Sequence, residues 1–504
     1  MGVISAAGAS ALRPGEDAVA LVVLAAGQGT RMRSALPKPL HPIAGLPMVS
    51  RVLRAGAGAD PAQTVLVVGR ETRDLAVRLG DAPSLVSVLQ EPPRGTGDAV
   101  RCALDAVIDV AWIVVLYADH PLLLPETIHR LLNGARAARA RVTVLTTFLP
   151  DAAAYGRVDR DAAGRPVRIV ERNDDDPARR VGPTEINSGM MVLDAAWARE
   201  ALARVRPSAA TGEYYLTDLV ALAVTDGPAD GAWPVATVDA EPEVALGVND
   251  RADLAAAEAV AQDRVRRRLM LGGVTLVGPE TIFVDEGVAV GPDTTILPCS
   301  TLGAGTVIGA GCTIGPHAVL VGSRLGDGVV VRSSTVEEAT IGDGADIGPY
   351  AHLRAGTEVG PRAHVGNYAE LKNARLAAEV KVGHFSYLGD VTVGAGTNIG
   401  AGTVVANFDG KHKHQTTIGA GAFIGSDTVL RAPVRVGDGA RTGAGSVVTR
   451  DVPDRALAVG VPARIQGQRG TGKGTSDAPA RIEDGAATAV SPLPPAPSPL
   501  PEDA

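Results

Sequence analysis

From Val290 to Val448 a branched or aliphatic residue recurs at every sixth position over long stretches, usually with Gly directly after it, and this cadence decides the fold of half the chain. Val290, Leu302, Ile308 and Ile314 each precede Gly, with Ile296 and Leu320 in the same register. After short slips the count resumes at Ile341, Ile347, Leu353, Val359, Val365 and Leu371, then Val382 and Leu388, then Val393, Ile399 and Val405, then Ile418, Ile424, Leu430 and Val436. A helix asks for apolar spacings of three and four, and an isolated strand for two, so neither sustains a six. A parallel β-helix of either hand does, because each hexapeptide makes one short flat side of a coil and turns its aliphatic into a narrow core. Glycine suits the corners, where a positive φ or a close approach of coils penalises a Cβ. A flexible linker has glycine but no aliphatics held in register.

The remainder is long enough for a second core: 504 residues exceed one ordinary domain. Aromatics make up only 3% of the chain, which suits flat β-helix sides. A net charge of -8 gives no bulk attraction for nucleic acid or an anionic membrane, while phosphate-bearing small substrates need only a local basic patch. The three cysteines, Cys102, Cys299 and Cys312, have neither zinc nor disulfide spacing and read as small buried residues in a reducing compartment. No secretory pattern or bilayer-length apolar run is present, so the expectation is a cytoplasmic protein.

Along the chain, residues 1–17 read as a disordered leader. Residues 18–250 alternate apolar runs (Leu21 to Leu24, Thr64 to Val68, Trp112 to Leu116, Val142 to Thr146) with amphipathic segments. That alternation predicts an α/β domain with a mainly parallel, doubly wound, Rossmann-like sheet. Residues 251–271, free of Pro and Gly, predict one linking helix; 272–465 carry the β-helix; 466–504 are Gly/Ser- then Pro-rich and predict a disordered tail.

The first chemical constellation follows the first predicted strand: Leu24-Ala25-Ala26-Gly27-Gln28-Gly29-Thr30-Arg31-Met32, then Leu36-Pro37-Lys38-Pro39-Leu40. A Gly-rich turn at a strand's carboxyl end lets backbone amides approach phosphate oxygens. Arg31 and Lys38 set two cations just past it, where a leaving pyrophosphate needs neutralising. Further blocks follow in order: Gln90, Gly95-Thr96-Gly97, Tyr117-Ala118-Asp119, Tyr155-Gly156-Arg157, Glu171, Glu185-Ile186-Asn187-Ser188-Gly189, Gly212 to Asp218 and Val248-Asn249. Together they resemble the sugar-phosphate nucleotidyltransferases, most closely the uridylyltransferase half of the bifunctional GlmU family.

The resemblance implies that Leu24, Ala25, Ala26, Gly27, Lys38, Gln90, Gly95, Thr96, Tyr117 and Ala118 line the UTP site. It also implies that Gly156, Glu171 and Asn187 hold the sugar, and that Asp119 and Asn249 coordinate Mg²⁺. One carboxylate and one amide carbonyl suit a hard ion that keeps most of its sites for phosphate and water. The implied reaction is attack by the phosphate oxygen of N-acetylglucosamine 1-phosphate on the α-phosphorus of UTP, with Arg31 and Lys38 as catalytic cations. The family has Gly where this chain has Ala118.

The second constellation lies where the hexads fail. Asn407-Phe408-Asp409-Gly410-Lys411-His412-Lys413-His414 interrupts the coils, and upstream Arg354, Lys372, His384 and Tyr387 fall on successive coils near one register. Imidazole near its ordinary pKa accepts a proton at neutral pH. With Asn367, Asn398, Ala401, Asn407, Phe408, Ser426 and Ala444, these residues resemble the acetyltransferase half of the same family, whose β-helix is left-handed. The resemblance implies a glucosamine 1-phosphate site of Arg354, Lys372, Tyr387 and Asn398, with His384 as general base. It implies an acetyl-CoA groove of Ala401, Asn407, Phe408, Ser426 and Ala444, and a homotrimer whose neighbouring coils wall each site. The product would be UDP-N-acetylglucosamine, a precursor of bacterial peptidoglycan. Phe408 replaces the family's Tyr, and Val461 replaces an Arg, with Arg464 nearby. The competing expectations are a pyrophosphorylase with a non-catalytic regulatory β-helix and a non-catalytic scaffold.

Overall fold

The computed structural model describes residues 17–80, 85–152, 155–227 and 232–466. The leader expected at 1–17 and the tail expected at 466–504 fall, but for Asp17 and Gln466, outside the described residues.

Counting strands of four or more residues in the first half, β1 is Val19–Ala25, β2 Gln63–Val68, β3 Leu85–Leu89, β4 Trp112–Tyr117 and β5 Val142–Leu149. β6 is Arg157–Arg160, β7 Pro166–Val170, β8 Thr184–Asp194 and β9 Val235–Asp239. The order is β9-β5-β8-β4-β1-β2-β3, with β6 pairing β8 and β7. Every residue of β1 is buried, as an unbroken Val/Leu/Ala run requires when both faces are covered. Ala20, Val22 and Leu24 pack into a core that includes Val100 and Ala103 of the helix Thr96–Leu104. Val19, Leu21 and Val23 pack into another that includes Val49 and Val52 of the helix Met48–Gly56. Strands β3, β2, β1 and β4 are parallel, as expected. The sheet as a whole is mixed, because β8 runs antiparallel to both β4 and β5. The chain leaves β1 towards β2 on one side and meets β4 on the other, so a crevice opens at their carboxyl ends, and there the Ala118 amide donates to the Leu24 carbonyl at 3.0 Å.

The hexads become three parallel ladders. Leu302, Leu320, Val336, Leu353, Leu371 and Leu388 stack in register, as do Ile308, Leu325, Ile341, Val359, Leu376 and Val393. Ile296, Ile314, Val331, Ile347, Val365 and Val382 form the third. All of these belong to one continuous core. Burying each aliphatic contributes about 1.5–3 kcal/mol, so the repeat supplies its own driving force coil by coil. Close approach explains glycines such as Gly400, where a Cβ would come within 2.5 Å of the Ser426 amide nitrogen. Left-handed corners are not reserved for glycine: Cys299, His317, Tyr350, Tyr368 and Phe385 hold φ of 61, 56, 61, 56 and 48°. Cys299 is exposed and Cys102 partly exposed, so of the three cysteines expected to be buried only Cys312 is.

The linking helix runs Arg251–Leu271, and the Asp250 side chain caps it by accepting from the amides of Ala252 and Asp253, a contact worth about 1 kcal/mol. Ala257 and Ala261 share a core with Met32, Ile43 and Val248, whereas Val265 and Leu269 join the β-helix core. Buried Gln262 fixes the junction through Val284, donating to its carbonyl at 3.1 Å and accepting from its amide at 2.9 Å. Among the described residues no helix is long and apolar enough to cross a membrane.

Candidate active sites

The loop after β1 carries Ala26, Gly27 and Gln28 along a cavity of about 290 Å³ that Gly69, Arg70, Thr72, Gln90 and Pro92 also line. A Cβ on Gly27 would meet nothing within 4 Å, so its backbone faces open space. At Gly29, φ is 61° and a Cβ would lie 2.6 Å from Lys38 Cβ, so glycine is what lets the Lys38 stem pass. Buried Gln90 donates to the Gly95 carbonyl at 3.0 Å and to Asp98 Oδ2 at 2.9 Å, which fixes it against the start of the next helix. Thr96 accepts from the Leu216 amide at 3.0 Å and bonds the Tyr117 phenol, whose pKa burial raises well above the usual value despite that bond.

Asp119 follows β4. Its Oδ2 takes a hydrogen bond from Lys38 Nζ at 2.6 Å, and Asn249 Oδ1 lies 3.4 Å from the same ammonium and accepts from Arg31 at 2.9 Å. Burial pushes the Asp119 carboxyl up, but the hydrogen bond and charge of His120, joined by Lys38, outweigh it and hold the group well below the ordinary carboxylate range. Arg31, Lys38, Asp119 and Asn249, chosen from distant stretches of sequence, are therefore one cluster. The sugar candidates also converge: the Asn187 amide donates to the Gly156 carbonyl at 2.8 Å, and a Cβ on Gly156 would stand 3.3 Å from the Glu171 carboxyl. Burial raises the Glu171 pKa, countered in part by a 2.8 Å hydrogen bond from Thr217.

On the β-helix, Leu353, Leu371 and Leu388 are register partners, so the residues after them, Arg354, Lys372 and Gly389, form one outward column. Tyr387 lies in the neighbouring column over Glu370. His384 is a correction to the expected common register: it pairs with Asn367 in the other sheet of the β-helix. It is exposed rather than turned among the aliphatics. Its Nδ1 meets Asn367 Oδ1; an amide oxygen only accepts, so Nδ1 carries the hydrogen and Nε2 is left as the acceptor. Asn398 lies in that second sheet too, in register with Lys381 and Phe423, and not beside Arg354 and Lys372.

Lys372 has a partner the sequence did not assign. Lys413, brought back by the 407–414 excursion, and then Arg354 lower the Lys372 pKa, while Asp390 opposes them. The excursion is a tight hairpin: Asp409 accepts from the amides of Lys411 and His412 and from His414, and Phe408 bridges Lys413. Asn407 donates to Asp390 Oδ2 at 2.6 Å. Ala401, Ser426 and Ala444 stack at one corner, where the amide of Asp427 donates to the Ala401 carbonyl and that of Gly445 to the Ser426 carbonyl.

Residues 21–164 match the MobA-like NTP transferase domain, and residues 287–322 and 415–450 match the bacterial transferase hexapeptide (six repeats). The bifunctional protein GlmU of Alkalilimnicola ehrlichii is 44% identical over 461 residues, which span 91% of this chain and 98% of that protein. Those of Heliobacterium modesticaldum and Kineococcus radiotolerans are 45% and 43% identical, spanning 87% and 88% of this chain and 94% and 89% of their own lengths. The chain belongs to the bifunctional GlmU family. It is an enzyme with a nucleotidyltransferase unit and a hexapeptide transferase unit on one polypeptide.

Against the GlmU pattern, Ala118 is buried and outside the left-handed region, so its methyl is accommodated without backbone strain. Phe408 is exposed on the excursion, and Val461 is 72% exposed. The Arg464 guanidinium bonds the Ala463 carbonyl at 3.4 Å, close along the chain to Val461.

Proposed function

We propose that this GlmU-family chain makes UDP-N-acetylglucosamine in two steps at two separate pockets. The observation that carries the reading is the exposed His384, its Nδ1 held by Asn367, on the coils that also present Arg354, Lys372 and Lys413. In the first step the cations hold the phosphate of glucosamine 1-phosphate, with Tyr387 beside them. The 2-amino nitrogen attacks the thioester carbonyl of acetyl-CoA while His384 Nε2 takes its proton; the C–N bond forms, the C–S bond breaks, and the proton passes to the departing thiolate. The stacked corner of Ala401, Ser426 and Ala444 offers a smooth track for coenzyme A, with Asn407 and Phe408 at its side.

In the second step the sugar rests on Gly156, Glu171 and Asn187 and the nucleotide on the loop from Leu24 to Gly27 with Gln90, Gly95 and Thr96. The attacking phosphate oxygen is already anionic and needs no base. It bonds to the α-phosphorus of UTP as the bond to pyrophosphate breaks, and Arg31 and Lys38 stabilise the charge that moves to the leaving group. The donor set fits Mg²⁺: one carboxylate and one amide oxygen meet the same cationic atom, Lys38 Nζ, so an ammonium already stands in for a cation there. Asp119 and Asn249 would hold the ion, which when bound supplies further neutralisation of the phosphates.

A homotrimer is part of this reading. Tyr350, Tyr368 and Phe385 form an exposed stack, with ring centroids 5.4 and 5.3 Å apart, on the corner next to His384. Such a surface suits burial by a second copy. The placement of Asn398 on a different side from Lys372 agrees with sites walled by neighbouring subunits. A cytoplasmic location is part of the same reading.

The test is to assay both half-reactions on one purified sample. His384→Ala abolishes thiol release from acetyl-CoA and leaves pyrophosphate release within twofold; Asp119→Ala does the reverse. Undiminished thiol release by folded His384→Ala protein removes His384 as the base. No thiol release from the wild-type protein with glucosamine 1-phosphate supports a pyrophosphorylase whose β-helix is only regulatory.

A further inference from the structure

Next to Asp119 stands a histidine that the transfer chemistry above does not use. His120 Nδ1 lies 2.9 Å from Asp119 Oδ1. A carboxylate only accepts, so Nδ1 carries the hydrogen. The ring packs edge-on against Tyr117, with centroids 5.8 Å apart and planes at 65°. Its other flank is closed by Gly247, where a Cβ would come 3.0 Å from both Cε1 and Nε2. His120 Nε2 is buried without a hydrogen-bond partner among the described residues.

This arrangement is poor as packing alone. A buried ring nitrogen without a partner costs free energy that an aliphatic side chain of similar size does not incur. What the imidazole supplies is one donor, aimed at one oxygen of the carboxylate. The same ring sits between Asp119 and the segment that presents Asn249: the Val248 backbone amide donates to the Asp119 carbonyl at 2.8 Å, and the Asn249 side chain donates through Nδ2 to the Gly247 carbonyl at 3.2 Å.

We propose that His120 is a positioning residue for the metal-binding pair. Its Nδ1–H pins Asp119 Oδ1, so that Oδ2 stays turned towards Lys38 Nζ and Asn249 Oδ1, and its ring sets the spacing of the 247–249 segment. The proposal rests on the reading of Asp119 and Asn249 as the Mg²⁺ residues. Partners that orient metal-binding side chains in this way contribute roughly 10- to 100-fold to metal affinity.

The test is a Mn²⁺ titration of the full-length enzyme in complex with UDP-N-acetylglucosamine, read by water-proton relaxation, with acetyl transfer as the control for folding. His120→Val removes the donor, His120→Asn restores an N–H near the Nδ1 position, and His120→Gln places its N–H beyond reach of Asp119. The expected result is Mn²⁺ affinity about tenfold weaker in the Val and Gln variants and within about threefold of wild type in the Asn variant. Wild-type affinity in His120→Val overturns the proposal, as does an Asn variant as weak as the Gln variant. Should His120→Val not fold, the Asn and Gln pair decides: Asn tighter than Gln supports the proposal and equal affinities overturn it. Asp119→Ala separates the two levels. If it keeps its Mn²⁺ affinity, the metal reading itself fails; if it loses affinity while His120→Val does not, only the role of His120 fails.

Discussion

Gly389→Ala isolates the geometry of the proposed acetyl-transfer site, because the backbone there tolerates alanine and only space is at stake. Gly389 does not have a positive φ, yet a Cβ would lie 2.6 Å from the Tyr387 hydroxyl and 2.6 Å from Asn407 Nδ2. Ordinary contact begins at 3.4 Å, so each group must withdraw by roughly 0.8 Å, a displacement of the size that costs about 100-fold when it misplaces a reacting group. Both groups are side-chain ends, so the fold absorbs the change at about 1–3 kcal/mol, typical of overpacking. Asn407 is the stiffer of the two, since Asp390 holds it at 2.6 Å and is itself bonded by Asn373 at 2.8 Å. The expected outcome is a kcat/KM for acetyl transfer lowered about 10- to 100-fold, a modest fall in Tm, and uridylyl transfer unchanged. Thiol release and pyrophosphate release measured on the same preparation give the answer. Acetyl transfer within twofold of wild type refutes the reasoning, because it means that Tyr387 and Asn407 can move without the site noticing.

Lys413→Ala is expected to raise KM for glucosamine 1-phosphate about tenfold, the worth of one charge-assisted phosphate contact. It also moves the alkaline limit of acetyl transfer. Lys413 lowers the Lys372 pKa, so with Lys413 present Lys372 loses its charge at a lower pH than an ordinary lysine; removing Lys413 shifts that loss to higher pH, which a pH profile of KM reads directly. Glu171→Gln is expected to raise KM for N-acetylglucosamine 1-phosphate about tenfold without lowering Tm at neutral pH. Burial raises the Glu171 pKa, so the folded protein holds that proton more tightly than the unfolded chain, and ionisation above that pKa opposes folding. A neutral amide removes the penalty, and in the wild type the ionised form is lost on acidification at a higher pH than for a free glutamate. Melting curves and KM across acid pH test both halves.

The three β-helix ladders were legible because an aliphatic every sixth residue has no other simple use. The slips in the count are places where a coil is shorter or longer, and they hid which side a given polar residue occupies. That is why Arg354, Lys372, Tyr387 and His384 read as one register, whereas Asn367 and His384 stand on a different sheet from Lys372. The aromatic stack of Tyr350, Tyr368 and Phe385 was invisible for the same reason: its members meet only once the coils are wound. In the first half, the residues of β8 carry no sign of strand direction, so its antiparallel course emerged only with the fold. Arg31 and Lys38 were legible as cations past the Gly-rich turn, but joining them to Asp119 and Asn249 came from family resemblance. Spacing alone offers no reason to join residues 218 positions apart. Lys413 lies inside, and His120 directly after, a segment already singled out for chemistry, so each carried a signal that went unassigned.

The linking helix explains how two pockets on one chain stay chemically separate while their units remain mechanically joined. Its first turns pack Ala257 and Ala261 against Met32 and Val248, direct neighbours in sequence of Arg31 and Asn249. Its last turns place Val265 and Leu269 in the β-helix core, and buried Gln262 binds Val284 in the first coil. The Glu286 amide donates to the Ala44 carbonyl at 2.8 Å, and Arg51 pairs with Glu286 at 3.4 Å. The proposed uridylyl site is thus braced by the end of the β-helix that the helix closes. His384, Lys372 and Lys413 lie several coils further along, joined to that end through stacked aliphatics and the backbone hydrogen bonds of the ladders, which repeat the same contact coil by coil. A solenoid of this kind transmits disturbance mainly between neighbouring coils. Changes at the 384–413 coils therefore reach the Asp119 pocket only by unfolding the coils between them, which is the physical ground for expecting His384→Ala and Gly389→Ala to leave uridylyl transfer untouched.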